Sequence, residues 1–527
     1  MIILRHNTLL AKDLFLIERI MLKISENPSF DYLLDYSLLN KSRGEVYGYI
    51  AGIFKRIGIC HTLGITTSDF LDLLIDIERG YNDNPYHSFY HAVDVAMVLY
   101  HMLEKYDMKE YLNRFDLAML MIAALCHDIG HPGNNNHFEI ACQTKRAQRY
   151  NNLSVLESYS SQLTLELLDK HKFLRHVESR SKALGCPMSC DDFKKSIVET
   201  ILATDMICHF TLQENIHLLH DTILQWKKKR SHQDFINFKT VTSSTSQLKP
   251  LFPPDAQHDP LDYFNKNYHF KQTINDKRDD QALNGQERLM ICKILIHAAD
   301  ISNPCRPWPI FHQLSLLVCV EFFRQGEQER ALGLDISPNM DPNKANPSKI
   351  NIGFIDFIVQ PYFEALAALF PKSFELVEVC QVNRKEWLKL STETVDGVDL
   401  NLISIEETMG AIPRKHVTVA AGTVQIPESI EEDIIRRRKR LQATMFNRSI
   451  SFNSYCSGQL LSPILHEDAS NSTTNRCRRK SSEEVIASSL HRINRFHRNS
   501  ISKTRRKSDE LSSSNMLNNH PKIIPFF

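Results

Sequence analysis

The sequence predicts an all-α fold, with many helices packed in one compact domain and a C-terminal tail outside it. Apolar residues recur at helical spacing from residue 11 to about residue 220, as in Leu14, Ile17 and Met21, and alternating strand patterns are scarce. A hydrophobic fraction of 42% and a charged fraction of 24% are ordinary for a globular protein. The length of 527 residues allows one large domain with appendages, or two or three smaller domains.

Later helices are predicted from long apolar segments. Ten apolar residues, from Leu117 to Cys126, form one of them, which is too short to span a bilayer because a span needs about 20. Helical patterns return at Arg288 with LMICKILIHAAD and continue through LSLLVCVEFFRQG and GFIDFIVQPYFEALAALF. They end near residues 387–390, so we expect the helical domain to cover residues 1–395.

Two regions depart from the helical pattern. Residues 227–285 are polar and rich in Pro and Ser, which predicts a long surface insertion. Beyond about residue 395 the composition shifts towards Ser, Asn and Arg, with too few apolar residues to offset the entropy of ordering the chain. We therefore expect residues 396–527 to form a basic, Ser-rich regulatory tail that is mostly disordered, above all over 441–527.

Charge and composition argue against several classes of partner. The 63 basic and 62 acidic residues give a net charge of +1, which does not favour nucleic-acid or membrane binding. The N-terminal segment is interrupted by charged residues and has no signal-peptide core. The 12 Cys form no CxxC pair and are typical of reduced thiols in the cytosol. We expect a cytoplasmic protein without a membrane span, and the basic run Arg436–Arg440 leaves a nuclear location open.

Polar residues with metal-binding side chains stand at the ends of apolar segments. In NPYHSFYHAVDV, His87 and His91 lie four residues apart and share one helix face. His127 and Asp128 end one apolar run, and Asp300 ends another. Singly, each has an ordinary explanation, since a His pair at this spacing is more often a surface or core pair, and an Asp can simply end a helix.

Together these residues indicate a metal centre. An imidazole or carboxylate at the rim of the core needs a partner, and a cation would satisfy several at once. Two imidazoles and two carboxylates suit zinc, and an Asp oxygen can bridge to a second, harder ion. Two ions about 3.5–4 Å apart would hold a bridging hydroxide for in-line attack on phosphorus. The expected cofactors are two divalent ions, Zn²⁺ and Mg²⁺ or Mn²⁺.

Five motifs in order resemble the catalytic domain of the class I cyclic-nucleotide phosphodiesterases, which belong to the wider HD superfamily. The motifs are YHxxxHAxDV, HDxxHPGxxN, SVLE, ILATDM and ADISNP. The similarity covers roughly residues 15–390, apart from the insertion. It implies an all-α fold of many helices, with the site at the bottom of a deep pocket.

The resemblance implies a role for each residue of these motifs. It implies that His91, His127, Asp128 and Asp300 bind zinc, and that Asp128 bridges to the second metal ion. It also implies that His87 protonates the leaving O3′ oxygen, a role that an imidazole beside two metal ions can fill. The residues expected to orient the waters around the ions are His131, Glu157 and Thr204.

The resemblance further implies a pocket for the base, and here the sequence departs from the family. The family reads the purine with the Gln of QxGF, but in KINIGFIDF this position is Asn351. The Asn side chain is shorter by one methylene, so its amide extends less far towards the base. A hydrogen bond to the base that is lost for this reason would cost about 1–3 kcal/mol of binding free energy. Asn303 is compatible with adenine, which favours cyclic AMP, with cyclic GMP or dual use left open. The residues expected to contact the nucleotide are Tyr86, Asn303, Val318, Asn351 and Phe354.

We therefore expect a metal-dependent hydrolase that converts a 3′,5′-cyclic nucleotide to its 5′-monophosphate. One alternative is another HD-type phosphohydrolase acting on a different nucleotide, which the base-pocket residues argue against. A second is a nucleotide-binding or scaffolding relative with weak turnover, which Asn351 motivates and the complete set of metal-binding residues disfavours.

The tail contains Ser residues in basic surroundings. CRRKSS around Ser481 and TRRKSD around Ser508 resemble the Arg-Arg-x-Ser pattern read by cyclic-AMP-dependent protein kinase. A basic, Ser-rich tail also produces such strings by chance, and this explanation carries equal weight. The expected partners are thus a cyclic nucleotide and, on the tail, this kinase as a candidate.

Overall fold

Two strongly apolar helices lie at the centre of the fold. Phe89–Lys105 and Arg114–Cys126 are buried along nearly their whole length, as expected for helices that are apolar on most sides. The structure is a computed structural model that describes residues 5–27, 33–242 and 283–392. These residues belong to one compact unit, and none of them lies in a β-strand.

The predicted all-α fold is confirmed over the described residues. The α-helices are α1 (Ala11–Glu26), α2 (Arg43–Ile57), α3 (Ile59–Leu63), α4 (Thr67–Gly80), α5 (Phe89–Lys105), α6 (Arg114–Cys126), α7 (Asn136–Ala141), α8 (Lys145–Arg149), α9 (Val155–Lys170), α10 (Val177–Ala183), α11 (Cys190–Ile201), α12 (His209–Thr242), α13 (Gly285–Asp300), α14 (Trp308–Ala331), α15 (Pro347–Phe354), α16 (Gln360–Leu369) and α17 (Phe374–Thr392). Short 3₁₀ turns are His6–Thr8, Leu33–Asp35, Met108–Tyr111, Leu202–Thr204, Met206–Cys208, Asn303–Cys305 and Pro371–Ser373, and Ile355–Val359 is a π-helical turn.

Capping boxes set the starts of α6 and α13, the two helices whose other ends carry candidate metal ligands. Asn113 caps α6, where its side chain accepts from the amide of Asp116 (2.9 Å) and the Asp116 carboxylate accepts in return (2.8 Å). Asn284 and Glu287 form the same reciprocal pair at the start of α13. Such a box satisfies amides that a helix start otherwise leaves unpaired. Arg288 Nε then donates to Asp116 (2.7 Å) and ties the two starts together.

The helical structure does not end at residue 227, where the predicted surface insertion 227–285 begins. The helix α12 continues through this boundary to Thr242. The segment KKKRSHQDFINFKT is polar, but it contains no Pro or Gly and is rich in helix-forming residues, so composition alone was a poor guide to its conformation. Residues 243–282 lie outside the described residues. The next helix begins at Gly285, three residues before the predicted start, because Asn284 provides its cap.

The predicted tail, residues 396–527, also lies outside the described residues, including its expected disorder and the sites Ser481 and Ser508. Within the described part of the chain, one stretch, Pro347–Leu369, is long and apolar enough to cross a bilayer by length and composition. Half of its window is buried in the fold, and core helices commonly pass the same test, so it is weak evidence for a membrane span.

Candidate active site

The four predicted metal ligands come together from three helices. His91 lies in the first turns of α5, His127 and Asp128 follow the end of α6, and Asp300 is the last residue of α13. One ligand atom from each of the four side chains lies within 4.8 Å of the others. Side chains separated by more than 200 residues in the chain thus converge on one point because three helix ends meet there.

The distances within this cluster match a shared cation site. Asp300 Oδ1 lies 3.1 Å from His91 Nε2 and 3.2 Å from His127 Nε2. Asp128 Oδ2 lies 3.1 Å from His127 Nε2 and 3.6 Å from His91 Nε2. His127 Nδ1 donates to the carbonyl oxygen of Ala124 (3.0 Å), which sets the tautomer that leaves Nε2 free to bind a metal.

Charge supports the same interpretation. Burial alone would raise the pKa of Asp128, but the adjacent His127 lowers it well below its usual range. Burial likewise opposes the charged form of His127, while Asp128 and Asp300 raise the pKa of His127. Within the described residues, neither carboxylate pairs with Lys or Arg. Two neutral imidazoles and two carboxylates would satisfy a divalent cation, with release of the imidazole protons. The donor set therefore fits the implied metal.

The loop after Asp128 turns sharply, as the sequence predicted from its Gly and Pro residues. Gly130 and Gly133 have φ values of +80° and +85°, a backbone region that favours glycine. Gly130 N donates to the carbonyl oxygen of Gly80 (3.1 Å), which fixes the turn against α4. The turn stacks the His131 ring on the His87 ring, with the two ring centroids 4.1 Å apart and the planes inclined by 28°.

His87 is paired with a carboxylate that the sequence analysis missed. Its Nδ1 forms a close hydrogen bond with Glu321 Oε1, and the other carboxylate oxygen accepts from the backbone amides of Tyr86 (3.0 Å) and His87 (3.1 Å). Burial disfavours the imidazolium, but Glu321 raises the pKa of His87 to about 9. Burial and the neighbouring His87 charge lower the pKa of His131 to about 4. These shifts favour the protonated form of His87 and the neutral form of His131 at neutral pH.

A second residue of α14, Gln325, holds the loop that follows the metal ligands. Gln325 Oε1 accepts from the backbone amide of Asn135 (2.8 Å), and its Nε2 donates to the Asn135 side chain (3.0 Å). A sequence signal for both α14 residues existed, because Glu321 and Gln325 interrupt the apolar segment LSLLVCVEFFRQG at helical spacing. The sequence pattern does not show which residues Glu321 and Gln325 contact.

The residues predicted to orient waters occupy buried or partly buried positions. The Glu157 carboxylate accepts two hydrogen bonds from Asn136 Nδ2, at 3.0 and 3.2 Å. Burial and the nearby Asp205 carboxylate raise the pKa of Glu157 well above its usual range. Thr204 is buried in its 3₁₀ turn and donates from its hydroxyl to the carbonyl oxygen of Ile201 (2.8 Å). The roles of Glu157 and Thr204 towards a metal remain predictions.

Tyr86 and Asn303, two of the predicted nucleotide contacts, are connected to His91 of the candidate metal cluster. Asn303 Nδ2 donates to the Tyr86 hydroxyl (2.6 Å), and the Tyr86 ring lies 4.5 Å from the His91 ring. Val318 is partly buried and packs against the small apolar cluster that contains Tyr86. Three of the five predicted nucleotide contacts therefore lie in one connected group.

Asn351 and Phe354 lie on the short helix α15. Asn351 is buried, and its Nδ2 donates to the carbonyl oxygen of Pro347 (2.8 Å), one turn earlier in the same helix. Phe354 ends this helix and packs partly buried against the main core. The π-helical turn Ile355–Val359 follows directly. The amide at the family's Gln position thus bonds to its own helix.

The chain matches a family of known proteins. The family described as 3′,5′-cyclic nucleotide phosphodiesterase matches residues 86–250 and 256–380. The chain belongs to this family. Phosphodiesterases of this family are metal-dependent, and the four-residue cluster at the ends of α6 and α13 and the start of α5 is the candidate metal site.

Two curated phosphodiesterases with different nucleotides in their names are similar to this chain. The 3′,5′-cyclic-AMP phosphodiesterase 4C of Mus musculus is 28% identical over 342 residues, which are 64% of this chain and 41% of that protein. The high affinity cGMP-specific 3′,5′-cyclic phosphodiesterase 9A of Drosophila melanogaster is 26% identical over 336 residues, 64% of this chain and 18% of that protein. The chain thus spans less than half the length of each of these relatives.

A solved phosphodiesterase domain has the same fold. The phosphodiesterase domain of the RhoPDE fusion protein from the choanoflagellate Salpingoeca rosetta aligns with a TM-score of 0.53 and 25% identity. The alignment covers 70% of this chain and 97% of that domain.

Proposed function

We propose that this phosphodiesterase hydrolyses the 3′,5′-cyclic phosphodiester of a cyclic nucleotide to the 5′-monophosphate. The observation that supports the proposal is the convergence of His91, His127, Asp128 and Asp300 beside His87, whose Nδ1 is paired with Glu321. A metal-ligand set and a proton donor are the two components that this reaction requires.

For the metals, we propose Zn²⁺ at the four-residue cluster and Mg²⁺ or Mn²⁺ at a second position that shares Asp128. Nitrogen ligands from His91 and His127 favour zinc, whereas a position supplied mainly by water and one carboxylate suits a harder ion. When bound, such ions supply Lewis acidity that lowers the pKa of water to about 7 and offsets phosphate charge.

His87 is the proposed proton donor. Glu321 occupies its Nδ1, so the Nε2 proton is the one available to the O3′ oxygen as the P–O3′ bond breaks and water oxygen bonds to phosphorus. The carboxylate also holds the ring through the backbone amides of Tyr86 and His87, which limits its rotation. Such a donor typically contributes about 10²–10⁴-fold to the rate.

For the substrate, we propose cyclic AMP as the preferred nucleotide, with cyclic GMP as the second candidate. Asn303 is compatible with adenine, and one similar relative is named for cyclic AMP. The second candidate is supported by Asn351, whose donor group is engaged with Pro347, and by a relative named for cyclic GMP. A base pocket without the family's Gln has less means to distinguish two purines.

The test is hydrolysis of cyclic AMP and cyclic GMP at low and high concentration, with zinc and magnesium, by the wild type and Asn351→Gln. Turnover of either nucleotide by the wild type supports the proposal, and the ratio of kcat/KM values gives the selectivity. If only Asn351→Gln turns over, the chain is a nucleotide-binding relative. If zinc-loaded wild type and variant are both inactive, the substrate belongs to another class, which a screen of linear nucleotides would identify.

For regulation, we propose phosphorylation of Ser481 and Ser508 by cyclic-AMP-dependent protein kinase in a cytoplasmic protein. The support is the sequence RRKS before each site, and both sites lie outside the described residues. Purified kinase should label the wild type and not the double variant Ser481→Ala/Ser508→Ala, and an unlabelled wild type would reject the proposal. Cell fractionation checks the compartment.

A further inference from the structure

Arg306 is a charged residue buried in the core, and it is not one of the candidate metal ligands. The Arg306 side chain is fully buried. Its three guanidinium nitrogens each have an acceptor: Nη1 donates to Asp94 Oδ2 (2.6 Å), Nε to the Leu34 carbonyl oxygen (2.8 Å) and Nη2 to the Tyr36 carbonyl oxygen (3.0 Å). A buried cation needs such pairing, since taking it out of water is costly.

Both members of the ion pair are close in sequence to a candidate metal ligand. Asp94 follows His91 by three residues on α5, so the two side chains lie on neighbouring positions of one helix face. Arg306 follows Asp300 by six residues, directly after the 3₁₀ turn Asn303–Cys305. The ion pair therefore links α5, which carries His91, to the turn that follows Asp300.

The turn that carries Arg306 is fixed from a second side. Asn383, buried on α17, donates through Nδ2 to the carbonyl oxygens of Pro304 (2.8 Å) and Arg306 (2.7 Å). The turn is thus held by five hydrogen bonds from two side chains, three from the guanidinium and two from the amide. Such support leaves the end of α13 little freedom to move relative to α5.

We propose that Arg306 and Asp94 are positioning residues for the metal centre, because their ion pair sets the separation between His91 and Asp300. This inference rests on the proposed function, since it assigns the cluster to a metal. Residues that hold ligands in place without touching the ion typically contribute about 10–100-fold to metal affinity. A Lys at 306 could not replace the Arg, since one ammonium group cannot reach three acceptors in the planar arrangement of a guanidinium.

The chain offers a matched control. Arg288 lies on the same helix as Asp300, at its opposite end, and pairs with Asp116 on α6 at 2.7 Å. This second ion pair also joins two helices that carry metal ligands, but it does so at their starts. Loss of Arg288 should therefore lower stability without changing the geometry of the metal ligands.

The experiment measures the zinc affinity of full-length wild type, Arg306→Met, Asp94→Asn and Arg288→Met by competition with a chromophoric chelator. Circular dichroism first establishes that each variant is folded. Arg306→Met and Asp94→Asn should bind zinc about 10–100-fold more weakly, and Arg288→Met should bind it like the wild type. Excess zinc should restore cyclic-nucleotide hydrolysis to the weakened variants, which it would not do for a general packing defect.

Wild-type zinc affinity in the Arg306 and Asp94 variants, or equal weakening by Arg288→Met, would overturn the inference. If Arg306→Met does not fold, Asp94→Asn decides the matter, because the amide keeps the shape of the carboxylate and removes only its charge. A failure of the proposed function is visible separately, as wild type that binds zinc yet hydrolyses neither cyclic nucleotide.

Discussion

The candidate metal-ligand cluster and the predicted base pocket are built differently. At the cluster, residues from three helices converge, and hydrogen bonds hold His127 to Ala124 and His87 to Glu321. In the predicted base pocket, Asn351 belongs to a short helix, bonds to the backbone of that helix, and precedes a π-helical turn. Turns of this kind are rare and occur frequently at functional sites.

This difference suggests that catalysis and selectivity can change independently. The metal ligands and the proton donor depend on contacts between distant elements, so each substitution there should disturb the chemical step. Asn351 makes its hydrogen bond within one helical turn, so a substitution there should leave the metal centre intact. Substitutions in each region test this separation.

Removal of a metal ligand should give the largest loss. We expect Asp128→Asn or Asp300→Asn to lower kcat for cyclic-nucleotide hydrolysis by at least about 10³-fold, since bound metals supply several kcal/mol of transition-state stabilisation. Metal analysis of the purified variants should show a reduced metal content. Asp116→Asn, a buried carboxylate at the far end of α6, is the control and should retain both metal and activity. Full metal content and turnover in the Asp300 variant would contradict the assignment.

Glu321→Gln should give the next largest effect, by weakening the proton donor. Burial opposes the charged imidazole and Glu321 raises the pKa of His87 to about 9, so loss of the carboxylate should lower that pKa. Activity that requires the protonated form is lost as pH rises through the pKa, so the alkaline limb of the kcat profile should move to lower pH. At pH 8 we expect a loss of about 10²-fold, within the range for general acid catalysis.

Zinc content distinguishes the role of Glu321 from that of a metal ligand. The zinc content of Glu321→Gln should equal that of the wild type. An unchanged alkaline limb in Glu321→Gln, measured from pH 6 to pH 10, would mean that Glu321 does not control the protonation of His87.

Asn351→Gln should have a smaller effect, confined to substrate affinity. If the longer amide reaches the base, KM should fall by about 10–100-fold for the nucleotide that it recognises, equivalent to about 1–3 kcal/mol. The value of kcat should change little, because the metal ligands and His87 are untouched. Steady-state kinetics with both nucleotides measure this, and a change in kcat of similar size would show that the two regions are coupled.

Asn351→Ala should give the smallest effect, on stability. It removes the hydrogen bond to Pro347, which is worth about 0.5–1.5 kcal/mol in the free energy of unfolding. Urea denaturation of the wild type and the variant, followed by circular dichroism, measures this cost. We expect zinc affinity to stay at the wild-type value, and a weaker zinc affinity would argue against independence of the two regions.

Local patterns predicted much of the fold and of the site. Helical spacing indicated the all-α class, and the motifs around His91, His127, Asp128 and Asp300 indicated a metal centre. The all-α class is confirmed and the four residues lie together, because spacing along a helix determines which face a side chain occupies, and because polar residues meet the core at the end of an apolar helix. That they bind a metal stays a prediction. The extent of α12 was misjudged, because polar composition does not by itself end a helix.

The sequence by itself determined which residue types this chain places at its helix ends, and hence the class of chemistry available to it. Only the tertiary structure decided which distant residues support them. Glu321 meets His87 across 234 residues, and Arg306 meets Asp94 across 212. Such pairs have no local signature, since burial and the packing of separate helices, rather than spacing along the chain, bring their charges within hydrogen-bonding distance.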